Sequence, residues 1–115
     1  MKVSFGGIGE QSVTFYAASG VSMGQPVTMT GNGTVGPCGN GAKITGISTS
    51  VADDGFATVK ISGFAVLPYT GTAPALGYVG ISANGSGGVK ADAANGREHL
   101  VVEVDLAAKT VGLFI

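Results

Sequence analysis

Tryptophan is absent from this sequence, and cysteine and histidine occur once each, as Cys38 and His99. A single cysteine excludes an intrachain disulfide and makes a Cys38–His99 pair the only conceivable thiol chemistry. The missing tryptophan removes the largest ring on which a sugar could stack, which weakens a carbohydrate-binding reading. Charge is scarce too, with six basic and seven acidic residues and a formal net charge of -1. Without a basic face to displace counterions from phosphates, a nucleic-acid partner is not expected. No apolar run reaches membrane-spanning length, so no membrane partner is expected either. The opening Met1-Lys2-Val3-Ser4-Phe5-Gly6-Gly7 lacks the continuous apolar run of a signal peptide, which predicts a product made in the cytoplasm.

What the sequence has in abundance is glycine, 21 of 115 residues, without a collagen-like period and beside 44% apolar residues. Glycine spread between short apolar runs fits many tight turns joining short strands. All four asparagines precede glycine, at Asn32-Gly33, Asn40-Gly41, Asn84-Gly85 and Asn95-Gly96, a dipeptide suited to two-residue hairpin turns. Asp53-Asp54-Gly55 adds a fifth turn.

Between these turns the apolar residues alternate. Val13 with Phe15, Val27 with Met29, Ile44 with Gly46, and Val59 with Ile61 share faces, and Gly63 marks a bulge or bend in the long run 56–69 that Pro68 ends. Residues 99–105 read as an amphipathic strand with Leu100, Val102 and Val104 inward, followed by a turn at Ala107-Ala108-Lys109 and a strand carrying Val111, Leu113 and Ile115 on one face. The alanine-rich residues 91–94 allow at most one helical turn. Met23-Gly24, Val27, Met29 and Asn32-Gly33-Thr34 are echoed by Leu76-Gly77, Val79, Ile81 and Asn84-Gly85-Ser86. The expected fold is therefore all-β, a small antiparallel barrel or sandwich, built from two pseudo-related halves.

The motifs with chemical potential dissolve under their context. Gly31-Asn32-Gly33-Thr34-Val35-Gly36 matches a dinucleotide-binding string, but Pro37-Cys38-Gly39-Asn40-Gly41 follows and cannot open the helix that would hold a pyrophosphate. No motif orients Cys38 or His99, which read as a small packed residue and a surface residue. Asp53, Asp54 and Asp92 lack the regular oxygen spacing of a calcium loop. The sequons at Asn32 and Asn84 carry no weight without a secretory signal. No catalytic residue, cofactor or metal is expected, so the chain is not expected to be an enzyme. An enzymatic reading would need His99 beside Cys38 or an acid in a cleft. Two tracts, residues 11–42 and 61–89, hold no Asp, Glu, Lys or Arg. A free domain spreads charge over its surface, so such tracts point to contact with other protein, although a wet surface of Ser, Thr, Asn and Gly would look the same.

From residue 21 onward the order of features resembles the capsid decoration, or cement, proteins of tailed bacteriophages. Gly24-Gln25-Pro26-Val27 opens a strand, Lys43-Ile44-Thr45-Gly46-Ile47-Ser48 announces an inner one, Asp54 to Gly63 forms a turn and strand, and Ala75-Leu76-Gly77-Tyr78-Val79-Gly80-Ile81 repeats the strand opening. The resemblance implies a compact barrel or sandwich on the outside of an assembled shell. It implies the major capsid protein as partner, a homo-oligomer with a trimer favoured, and localisation on the virion. It supplies no catalytic residues. It also divides the chain into an N-terminal segment, residues 1–20, as a partner-binding arm or strand, and a domain of residues 21–115. Val3, Phe5, Val13, Phe15 and Tyr16 are the candidate anchors, with core packing as the competing explanation. A receptor- or glycan-binding module of a virion fibre is the alternative function.

Overall fold

The computed structural model describes residues 9–115, which form ten strands and no helix among the described residues. They are β1 (Gln11–Ala17), β2 (Pro26–Gly31), β3 (Thr34–Pro37), β4 (Gly46–Val51), β5 (Phe56–Ser62), β6 (Phe64–Pro68), β7 (Gly77–Ala83), β8 (Val89–Ala91), β9 (Arg97–Asp105) and β10 (Thr110–Phe114). The first five close into a barrel, and the last five form a sheet in the order β6-β10-β9-β7-β8. The expected all-β fold is what the chain adopts.

The two halves share one connectivity. In the barrel, β1 pairs with β5, β5 with β4, β4 with β2 and β2 with β3. In the sheet, β6 pairs with β10, β10 with β9, β9 with β7 and β7 with β8. The barrel closes through a short parallel pairing of β1 with β3, where Ala17 faces Val35. The second half makes the corresponding contact as a single parallel bridge, Tyr69 to Val89, supported by the Thr70 amide donating to the Val89 carbonyl at 3.1 Å. Two of the four connections match in length as well. Eight residues join β1 to β2 and β6 to β7 (18–25 and 69–76), and four join β4 to β5 and β9 to β10 (52–55 and 106–109). Each four-residue turn ends in a left-handed residue, Gly55 at φ 89° and Lys109 at φ 56°. The faint echo read from the sequence is thus carried by the hairpins β2–β3 and β7–β8 inside a repeated five-stranded unit. The parallel closure qualifies the expectation of a purely antiparallel fold.

Each half has its own core. Val27, Val35, Ala57 and Val59 fill the barrel, with Phe15, Ala17, Val21 and Ile61 packed against them. The larger core joins Ala65, Leu67, Tyr69, Ile81, Ala83, Val89, Val101, Val111 and Leu113 of the second half to Ile44 and Ile47 of the first. Ile44 lies just before β4, in a connection that also pairs with the second half through the Asn40–Asn84 bridge. It therefore staples the halves together and does not share a strand face with Gly46, as its alternation suggested.

Other sequence expectations are corrected by particular geometry. In β9, His99 and Val101 are the inward residues, at 2% and 1% exposure, whereas Leu100 and Val102 are only half-buried. A bulge places Val102 outside the pairing, since Gly112 pairs with Glu103 and Leu113 with Val101. The inserted residue switches the side-chain parity along the strand, so Val101 and Val104 both reach the core. Of the four Asn-Gly pairs, only Asn32-Gly33 joins strands in two residues. There Gly33 alone has positive φ, at 63°, and a register shift between Met29 and Gly31 absorbs the difference from the mirror-image turn. Residues 92–96 make a single turn, closed by the Gly96 amide donating to the Asp92 carbonyl at 2.9 Å, within the one turn the sequence allowed. Between β5 and β6 the long run bends at Gly63, as expected, with φ 123°.

Candidate binding surface

Strand β1 carries three of the five candidate anchors, and Val3 and Phe5 lie outside the described residues. Alternation splits the three. Val13 and Phe15 stand on the barrel face of β1, where they pair with Val59 and Ala57. Phe15 packs against the barrel core, which makes it structural, while Val13 at the strand's start remains 39% exposed. Tyr16 stands on the outer face, 58% exposed, and its ring lies 4.8 Å from that of Phe56, its cross-strand partner. Such pairs stabilise by about 0.2–1 kcal/mol. Both rings remain partly exposed, Phe56 at 37%, so the pair also offers an aromatic contact.

The strand itself is part of the barrel, because β1 supplies both the long pairing with β5 and the parallel closure with β3. Residues 11–17 of the expected N-terminal arm are therefore barrel wall.

Register brings together further apolar residues that alternation within one strand could not. Tyr78, Leu100, Phe114 and Phe64 are successive partners across β7, β9, β10 and β6, and they form one row on the face of the sheet opposite the core. Phe64 and Phe114 are 5.6 Å apart, and Phe64 leans over Gly112, where an added Cβ would lie 2.8 Å from its ring. At the end of the row Tyr78 is 71% exposed.

Charge is confined almost as the sequence suggested. Strands β1 to β4, β6, β7 and β10 contain no Asp, Glu, Lys or Arg, whereas β9 holds four, Arg97, Glu98, Glu103 and Asp105. An open groove of about 530 Å³ runs beside the β9–β10 turn, between Glu103, Val104, Asp105, Leu106, Thr110 and Gly112. Its carboxylates are partly committed: the Asp105 Oδ1 accepts the Ala107 and Ala108 amides at 3.0 Å, pinning the turn.

The reactive side chains are not assembled. Cys38 is half-buried against the larger core, and burial pushes its thiol up to about 11, the reverse of nucleophile activation. His99 is buried in the sheet, not on the surface as read from the sequence, because the bulge reverses its face; its Nδ1 is 3.0 Å from the Phe114 carbonyl. Asp54 accepts the Phe56 amide at 3.2 Å, and so does turn work. Asp92 accepts the Ser82 hydroxyl at 2.9 Å and the Asn95 amide at 3.0 Å, which together hold its carboxyl below the usual range. Among the described residues no three His, Cys, Asp or Glu side chains gather in a metal-binding group. No protein-family model and no curated protein matches this chain.

Proposed function

We propose that this chain is a structural virion protein that binds the outer surface of an assembled phage capsid and stabilises it. The observation that carries the reading is the uncharged barrel wall. Strands β1, β2 and β3 hold no ionic side chain, yet expose Val13, Tyr16 and Met29 at 39%, 58% and 45%. Apolar and hydroxyl-bearing strands can lie against another protein without desolvating charge, and aromatic side chains make efficient anchors there. The partner is the major capsid protein, and the order of sequence features that resembles decoration proteins supports that choice. A weak contact repeated over a lattice stabilises the shell collectively. A homo-oligomer, with a trimer favoured, would multiply the contacts per binding event.

The test is saturation co-sedimentation of the purified chain with undecorated, expanded capsids of the phage that encodes it. The reading expects saturation at a fixed copy number per coat subunit. Absence of binding at high concentration, with retention on a glycan array, would replace it with a receptor- or glycan-binding module.

A further inference from the structure

The buried histidine is an ionisable group enclosed in the second half, and it sits where β10 ends. His99 is 2% exposed. Its Nδ1 meets the carbonyl of Phe114, the last residue of β10, at 3.0 Å, while its Nε2 is buried without a hydrogen-bond partner. With Nδ1 donating its proton to that carbonyl, the neutral ring satisfies the strand's terminal acceptor and leaves Nε2 as a bare lone pair. The residues packed around the ring are apolar, and the nearby carboxylate, Glu98, lines with His99, Arg97 and Tyr78 an open cavity of about 360 Å³. Val79 lies opposite on β7, with Ile81 further along it; Val101 follows on β9, and Phe114 is flanked by Leu113 on β10 and by Ile115 just beyond it. Arg97, on β9 itself, is the charged group that acts on the ring, and its sign opposes protonation. Glu98 pairs with Gly80, and Tyr78 with Leu100, on the alternate face of the sheet.

The geometry points to His99 as an acid-sensitive latch, which fastens the end of β10 to β9 at neutral pH and releases it in acid. This inference stands apart from the capsid reading. A proton on Nε2 creates a buried N–H donor and a positive charge, neither of them paired in the closed sheet, and opening the sheet relieves both by bringing water to Nε2. The ring's affinity for a proton is accordingly held below its ordinary value of 6.5, by burial first and then by Arg97, against the opposing pull of the Phe114 carbonyl. A depressed histidine leaves stability intact above 6.5 and erodes it as pH falls from 6.5 towards the folded-state value. Each unit of depression multiplies the unfolding constant up to tenfold. Release begins beside Ile115, whose amide donates to the Gly63 carbonyl at 3.0 Å.

Two measurements test it on the full chain. NMR titration of the His99 ring should place its folded-state midpoint below 6.5, and amide exchange at Ile115 should accelerate as pH falls from 7 to 5, after correction for intrinsic rates. Urea midpoints of the wild type should fall over the same range, while those of His99→Leu and His99→Gln stay flat relative to it. A ring that titrates at 6.5 in the folded protein would overturn the latch. So would variants that keep the full pH dependence. If neither variant folds, the ring titration and exchange of the wild type decide alone.

Discussion

Adding one methyl group at two glycines should move stability in opposite directions. Gly46 opens β4, pairs with Val27, and is buried at the seam between β2 and β4. A Cβ there would collide with the Lys60 carbonyl oxygen and come within 2.7 Å of Val59 Cγ1. Backbone cannot yield as a side-chain tip can, so the barrel wall must shift. Overpacking of this kind costs about 1–3 kcal/mol, and the reduced entropy of the unfolded alanine chain returns about 0.4–1 kcal/mol. With backbone as the obstacle the cost lies in the upper half of its range, about 2–3 kcal/mol, so Gly46→Ala should lose about 1–2.5 kcal/mol of the roughly 5–15 kcal/mol of a typical domain. Gly39 has no positive φ and nothing within 4 Å of the same added atom. Gly39→Ala should keep only the entropic gain, about 0.4–1 kcal/mol. Equilibrium urea unfolding followed by far-UV circular dichroism reads both, with unchanged slopes. A Gly46→Ala protein as stable as the wild type would refute the tight seam, and a destabilised Gly39→Ala would refute the reasoning from unfolded-state entropy.

The matched turns make a second pair. Gly55→Ala should destabilise by about 1 kcal/mol because it forces a Cβ into the left-handed region, whereas Lys109→Gly should be neutral or mildly stabilising, as thermal midpoints would show. Cys38 should react with iodoacetamide about 300-fold more slowly at pH 7.5 than a free thiol of pKa 8.5, given its value of about 11. Its rate should rise about tenfold per pH unit up to that value, and an ordinary rate at pH 7.5 would show the thiol to be exposed. Replacing Tyr16 and Phe56 together by serine should weaken capsid binding about tenfold or more while shifting the urea midpoint by less than 1 kcal/mol equivalent, because both rings lie outside the barrel core. Binding unchanged in that double variant would remove the aromatic pair from the contact.

Much of this fold was legible because its strands obey the period of two. Val13 and Phe15, Val59 and Ile61, and Val111 and Leu113 each lie on one face as alternation dictates. Gly63 bends the chain and Pro68 ends β6 for the reasons their backbones impose. The failures share a cause, which is information held across strands. The bulge at Val102 exists only in the pairing of β9 with β10, so alternation within residues 99–105 put His99 on the surface and Leu100 in the core. Ile44 was misread because a connecting segment can bury a side chain in the other half of the molecule. The apolar row from Tyr78 to Phe64 draws one residue from each of four strands and needs the full register to be seen. Tyr16 is among the candidates the sequence names, while its ring partner Phe56, behind the Asp53-Asp54-Gly55 turn, is not, because the contact is made across strands. The repeated unit left only a weak mark in sequence, since shared topology survives on turn lengths and burial while the residues themselves diverge, as Gly55 and Lys109 do.

The most direct measurement of the central claim is the temperature at which DNA-filled capsids lacking this protein rupture, recorded before and after saturation with it and followed by release of dye-accessible DNA. The account predicts a rise in rupture temperature that tracks occupancy and reaches a plateau at the saturating copy number. Saturable binding with no change in rupture temperature would contradict the stabilising role, and rupture unaffected because nothing binds would contradict the capsid assignment itself.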